Sequence, residues 1–170
     1  PEAGLIIHEG KLWGTTPLGG ANNFGVIYNW NITTGTYTKV HDFNGTQGAN
    51  PRSPLEVIGN KLWGNTNAGG TNDLGTVFTI NDDESAFTMV HSFNGGDGQN
   101  PININLIEIN GKVWGSTDQG GSISPGVIFS IDTTTMVFTK EYEFDASGDD
   151  EWWEPYGSLT LSNGKIWGTA

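Results

Sequence analysis

The segment from Asp145 to Tyr156 holds the densest set of chemically capable side chains in the chain. Asp145, Asp149 and Asp150, with Ser147 and Glu151 among them, offer hard oxygen ligands of the kind that suit Ca2+. The run lacks the Gly and distal Glu placement of an EF-hand, so a bound Ca2+ is an expectation weighed against a solvated acidic turn. Trp152, Trp153 and Tyr156 in the same run would give a ligand, such as a glycan, its apolar contact. The competing account is that both indoles fold back onto the protein, because adjacent Trp residues are costly to leave in water.

Other residue types are less pointed. His41 and His91 occupy equivalent places, and Tyr142 stands at the third. A metal ligand or base would not exchange for Tyr, whereas a packing ring with hydrogen-bonded nitrogens would. His8, beside a turn, reads as solvated. Paired carboxylates for glycoside hydrolysis must flank the scissile bond. Glu56, Glu108, Asp73, Asp118 and Glu154 are eligible, and nothing in the sequence singles out two of them. There is no nucleophile elbow, phosphate loop or zinc spacing. Without Cys, disulfides and thiolate chemistry are excluded.

The elements that position these residues come from a repeat. Lys11-Leu12-Trp13-Gly14-Thr15-Thr16 returns at Lys61, Lys112 and Lys165, so that successive Trp residues stand 50, 51 and 53 positions apart. Such a period means one supersecondary unit stacked repeatedly. In residues 51–100 the grammar is a strand at 55–58, a two-residue turn at Gly59-Asn60, a strand at 61–66, a Gly-Gly loop, a strand at 75–80, a turn, and a strand at 86–93. Neighbouring apolar residues such as Val26 and Ile27 point to opposite faces, so each sheet is covered on both sides. No stretch has helical periodicity. The expected fold is all-β, a propeller-like array of four-stranded antiparallel blades with about three and a half repeats of roughly 50 residues. The units are 1–50, 51–100 and 101–154, with 155–170 the first half of a fourth. A parallel β-helix has shorter coils, and a sandwich would not keep the period.

The formal charge is −12, from 19 acidic against 7 basic residues. It repels phosphate backbones and anionic lipid, which excludes nucleic acid as a partner. No apolar run approaches the length of a membrane span. The chain begins at Pro1, in register with Pro51 and Pro101, and is expected to be an excerpt of a longer protein.

The succession Leu-Trp-Gly-Thr-Thr, Gly-Gly, Gly-Val-Ile-Tyr, then Phe-Asn-Gly and Asn-Pro resembles the GloVer (Gly-Val) tandem repeat of bacterial choice-of-anchor exported proteins. The resemblance covers essentially the whole chain. It departs from the family at Trp13, Trp63, Trp114 and Trp167, where Tyr is commoner, and in the loop after Phe144. It implies an extracellular or cell-surface propeller and brings no catalytic residues. The function expected is a non-enzymatic structural or binding scaffold, with glycans or surface proteins as partners. Its terminal faces would be covered by the remaining blades or by neighbouring copies. The alternative is part of a carbohydrate-active propeller enzyme, a hydrolase or lyase.

Overall fold

The computed structural model describes residues 3–102, 104–124, 126–144 and 158–168. The first sheet consists of β1 (Ile6–His8), β2 (Lys11–Thr16), β3 (Val26–Asn31) and β4 (Thr36–Asp42). The second has β5 (Glu56–Ile58), β6 (Lys61–Thr66), β7 (Thr76–Asn81) and β8 (Thr88–Ser92). The third has β9 (Ile107–Ile109), β10 (Lys112–Thr117), β11 (Val127–Asp132) and β12 (Phe138–Glu143). β13 (Thr160–Ser162) and β14 (Lys165–Trp167) pair as a two-stranded sheet. Within each sheet the strands are antiparallel and lie in chain order, and there is no helix among the described residues.

Turn chemistry sets the hairpins. Glu9-Gly10 and Asn110-Gly111 have positive φ at both residues (49° and 69°; 53° and 77°), the twist-matched type I′ geometry. The fourth strand of the second sheet is shorter than its sequence suggests, because Ala86 takes a positive φ of 51° and belongs to the turn.

A bulge recurs where the third strand meets the fourth. Ile27 pairs with His41 but Tyr28 with Lys39, leaving Val40 extra, and the same slip occurs at Val77/Phe78 and Ile128/Phe129. Periodicity alone does not reveal it. It lets neighbours Val40 and His41 both face the junction with the second sheet, which strict alternation forbids.

The cores lie between sheets. Trp13, Ile27 and Phe43 of the first sheet pack against Leu55, Leu62, Phe78 and Ile80 of the second. Trp63, Val77 and Phe93 of the second pack in the same way against Ile104, Leu106, Val113, Phe129 and Ile131 of the third. The second sheet therefore offers a Trp-Val-Phe face to the third and a Leu-Phe-Ile face to the first. Recurrence of Trp at one place in each unit implies four equivalent buried indoles, which holds at Trp13 and Trp63, whereas Trp114 is partly buried and Trp167 is 57% exposed. The indoles pack into the following sheet, and no described sheet follows β14.

Trp63→Ala should therefore cost about 3–5 kcal/mol, while Trp167→Ala should change stability little. Urea unfolding of both variants checks this, and equal losses would contradict the packing assignment.

Candidate functional site: the junctions between sheets

Each junction is closed by aromatic, glycine and polar contacts. His41 stacks on Phe87 of the next sheet at 3.7 Å between ring centres, nearly parallel, and His91 stacks on Phe138 at the same distance. Each imidazole also meets Phe43 or Phe93 edge-on. Burial pushes both imidazoles below their ordinary pKa, opposed by Asp42 at His41 and by Asp97 at His91. His91 Nε2 lies 3.1 Å from Asp97 Oδ2 but outside hydrogen-bond geometry. These histidines are packing rings, as their exchange for Tyr142 suggests.

At one rim of each junction, Gly-rich loops interlock. Ala49 and Ala68 exchange backbone hydrogen bonds of 2.7 and 3.0 Å, and Gly70 N donates to Gly45 O at 2.8 Å. A Cβ on Gly69 would lie 2.4 Å from Gly45 O, so nothing larger fits. The equivalent Gly19 of the first sheet has nothing within 4 Å. Asp73 Oδ1 accepts from Gly69 N at 2.8 Å and braces this loop. Glu143 accepts from Lys140 and from the hydroxyl and backbone N–H of Ser122, which together hold its carboxyl down at about 2.

The opposite rim differs between the two junctions. Between the first and second sheets, His8 Nε2 lies 3.2 Å from Asp82 Oδ2, Lys11 pairs with Glu84, and Asn29 Nδ2 donates to Glu84 Oε1 at 2.9 Å. Both acids come from the β7–β8 turn. Between the second and third sheets, Thr133 and Thr135 stand in their places. A groove of about 390 Å³ opens there, lined by residues that include Lys61, Trp63, Asn60, Glu108 and Thr133. Lys61 Nζ donates to the neutral Asn81 Oδ1 at 2.9 Å, and Glu108 Oε1 accepts from Gly111 N at 2.6 Å. Glu56 pairs with Trp63 across the β5–β6 hairpin and so faces the same junction, where burial raises its carboxyl above the ordinary value.

Of the eligible carboxylates, the fold thus brings Glu56 and Glu108 to one junction. It leaves Asp73 in a loop brace and Asp118 largely buried with its own interaction. Asp145, Asp149, Asp150, Trp152, Trp153 and Tyr156 lie outside the described residues, as does Glu154. Among the described residues, no group of three or more His, Asp or Glu is placed to hold a metal. Nor is any helix there long and apolar enough to cross a membrane. Sequence reading missed the groove, whose only signal is the departure of Glu56, Glu108, Thr133 and Thr135 from the repeat.

The chain matches the Gloeobacter/Verrucomicrobia repeat over residues 1–170. It belongs to that family. No curated protein is similar to this repeat chain in sequence. Among solved structures, the extracellular domain of BT4673 from B. thetaiotaomicron, described as a one component system, superposes with a TM-score of 0.60 at 15% identity. That match covers 96% of the repeat chain and 19% of the other. An alpha-L-arabinofuranosidase from Clostridium thermocellum, CtGH43, gives 0.53 at 14% identity, covering 96% and 58%. The tricorn protease gives 0.53 at 12% identity, covering 85% and 13%. At such identities the likeness is one of fold, and it makes the repeat array propeller-like.

Gly69→Ala and Gly19→Ala strain similar φ values (78° and 92°), but only the first collides with a neighbouring loop. Gly69→Ala should be the more destabilising by about 1–3 kcal/mol, as read by chemical denaturation. Equal losses would show that the loops do not lock the sheets.

Acid should act in two stages. Unfolded His binds protons below about 6.5 while His41 and His91 resist them, so stability falls as pH drops below that value. Glu143, depressed to about 2, contributes stability that is present above about 4.5 and is lost as pH falls from there toward 2. Melting temperature against pH should show both slopes, and His41→Phe should flatten the upper one.

Proposed function

We propose that this chain is part of an exported or cell-surface repeat protein of the choice-of-anchor type, acting as a binding scaffold for glycans or surface proteins. The observation that carries this reading is a division of labour along the repeat. Recurring residues, including Trp13 and Trp63, His41 and His91, and Gly69 and Gly120, are spent on joining sheets. Residues that do not recur, including Glu56 and Glu108, and the non-repeating residues of the sequence from 145 to 156, are those we assign to partners. Membership of the repeat family and the likeness to an extracellular domain support it.

The array also calls for continuation. Leu5 and Ile7 are 51% and 72% exposed, and Trp30 and Tyr37 are exposed with them. Their equivalents Leu55 and Ile80 are buried against a preceding sheet. The first sheet therefore carries a Leu-aromatic face shaped for the Trp-bearing face of another repeat, supplied by further blades of a longer chain or by a neighbouring copy.

A second reading, a carbohydrate-active hydrolase or lyase, draws on Glu56 and Glu108 at one junction. The raised Glu56 carboxyl would suit a general acid.

Protease treatment of intact cells tests the first reading. The protein should be digested without lysis, and protection until lysis would overturn its surface display. Assays with aryl glycosides and plant polysaccharides test the second. Turnover abolished by Glu56→Gln would favour the enzyme, and absence of turnover would leave the scaffold.

A further inference from the structure

We propose that the groove between the second and third sheets is a saccharide site, holding one hydroxyl-rich sugar unit through Asn60, Lys61, Glu108 and Thr133. It gives the binding-scaffold reading a location and rests on that reading.

The argument comes from two junctions built on one plan. In the first, the β7–β8 turn reaches across and fills the rim, Asp82 meeting His8 and Glu84 meeting Lys11 and Asn29. Beneath it, Ile6 and Val57 pack against the core. In the second, Ile58 replaces His8, Thr133 replaces Asp82, Thr135 replaces Glu84 and Thr79 replaces Asn29. The apolar pair becomes Glu56 and Glu108. The charged side chains that bridge the first rim are gone, and two carboxylates stand where apolar residues pack in the first junction. Lys11 has a carboxylate partner from the next sheet, whereas among the described residues Lys61 is bonded to Asn81 alone.

The lining dictates the ligand class. The Lys61 ammonium has N–H groups to spare beyond its bond to Asn81, and Glu108 keeps a second carboxylate oxygen beyond the one bonded to Gly111 N. The Asn60 amide adds a donor and an acceptor, and Thr133 Oγ1, which donates to Gly111 O at 2.9 Å, retains acceptor capacity. Ile58 and Trp63 complete the wall with carbon. A sugar ring presents both features, adjacent hydroxyls that donate and accept and a C–H face. An apolar ligand would leave Lys61 and Glu108 unpaired, at a cost. A phosphorylated ligand would face Glu108 and Glu56 on a chain of net charge −12. The volume of about 390 Å³ lies in the range of small-ligand sites.

Titration calorimetry and Trp emission, with neutral mono- and disaccharides of glucose, galactose, mannose, xylose and arabinose, test this. At least one should bind saturably. Lys61→Ala and Glu108→Gln should each weaken it by about tenfold, as expected for loss of a charged hydrogen-bonding partner. The paired variant Thr133→Asp with Thr135→Glu restores the two acids that fill the first junction, leaves the packed Ile58 in place, and should abolish binding while circular dichroism and melting remain those of the parent. Saccharide binding unchanged in all these variants would overturn the groove and leave the scaffold reading standing with its site elsewhere. Absence of binding by every saccharide would overturn the groove assignment, while surface display is judged separately by protease access on intact cells.

Discussion

Every complete sheet in this protein is apolar on both faces, and the structure depends on covering them. A four-stranded sheet of this kind has no solvated side to rest on, so it cannot be stable alone. The answer is to make one face complementary to the other. Trp13 of the first sheet enters the cluster formed by Leu55, Leu62 and Phe78, and Trp63 enters the equivalent cluster of the third. Stability is then a property of junctions rather than of sheets, as in other linear arrays. The same constraint explains why the first sheet presents Leu5, Ile7 and Tyr37 to solvent.

Much of this was legible in the sequence, because the repeat prints the same chemistry at a fixed spacing. The period placed the strands, the two-residue turns placed the hairpins, and the exchange of His for Tyr placed His41 and His91 in packing roles. The bulges at Val40 and Val90 were not legible, since an extra residue in one strand leaves the alternation of a short segment ambiguous. The exposure of Trp167 was missed because repetition says what a residue is built to contact and not whether that contact is present. The groove was missed for a different reason. It arises from residues as far apart as Asn60 and Thr133, each unremarkable in its own segment, and only the alignment of one junction on another makes their substitution visible.

The negative charge also takes on another meaning in the fold. Asp42, Asp132 and Glu143 accept backbone hydrogen bonds from nearby loops, and all are held below the ordinary carboxylate range. Loops this rich in Gly have many N–H groups to satisfy, and carboxylates are strong acceptors for them. Part of what reads in the composition as a soluble, acidic surface is therefore loop architecture.

Against that background Glu56 is distinct. It sits on a strand rather than in a loop, beside a buried Trp, and burial moves its carboxyl upward, whereas Lys39 at Asp42, Lys140 at Glu143 and backbone N–H groups at Asp132 move the others down. A desolvated carboxylate is unfavourable for stability, and Ile6 shows that an apolar residue serves the same place in the first junction. Glu108 stands where Val57 packs in that junction, and it adds a second acid to the same gap. A repeat array has more than one junction to hold it together, so a departure in one can be tolerated while another keeps the packing rule. The second junction keeps the Trp63 and Phe93 packing that joins its sheets and gives up its polar seal. That separation, a retained core beneath an altered rim, is how a structural repeat acquires a site without losing its fold.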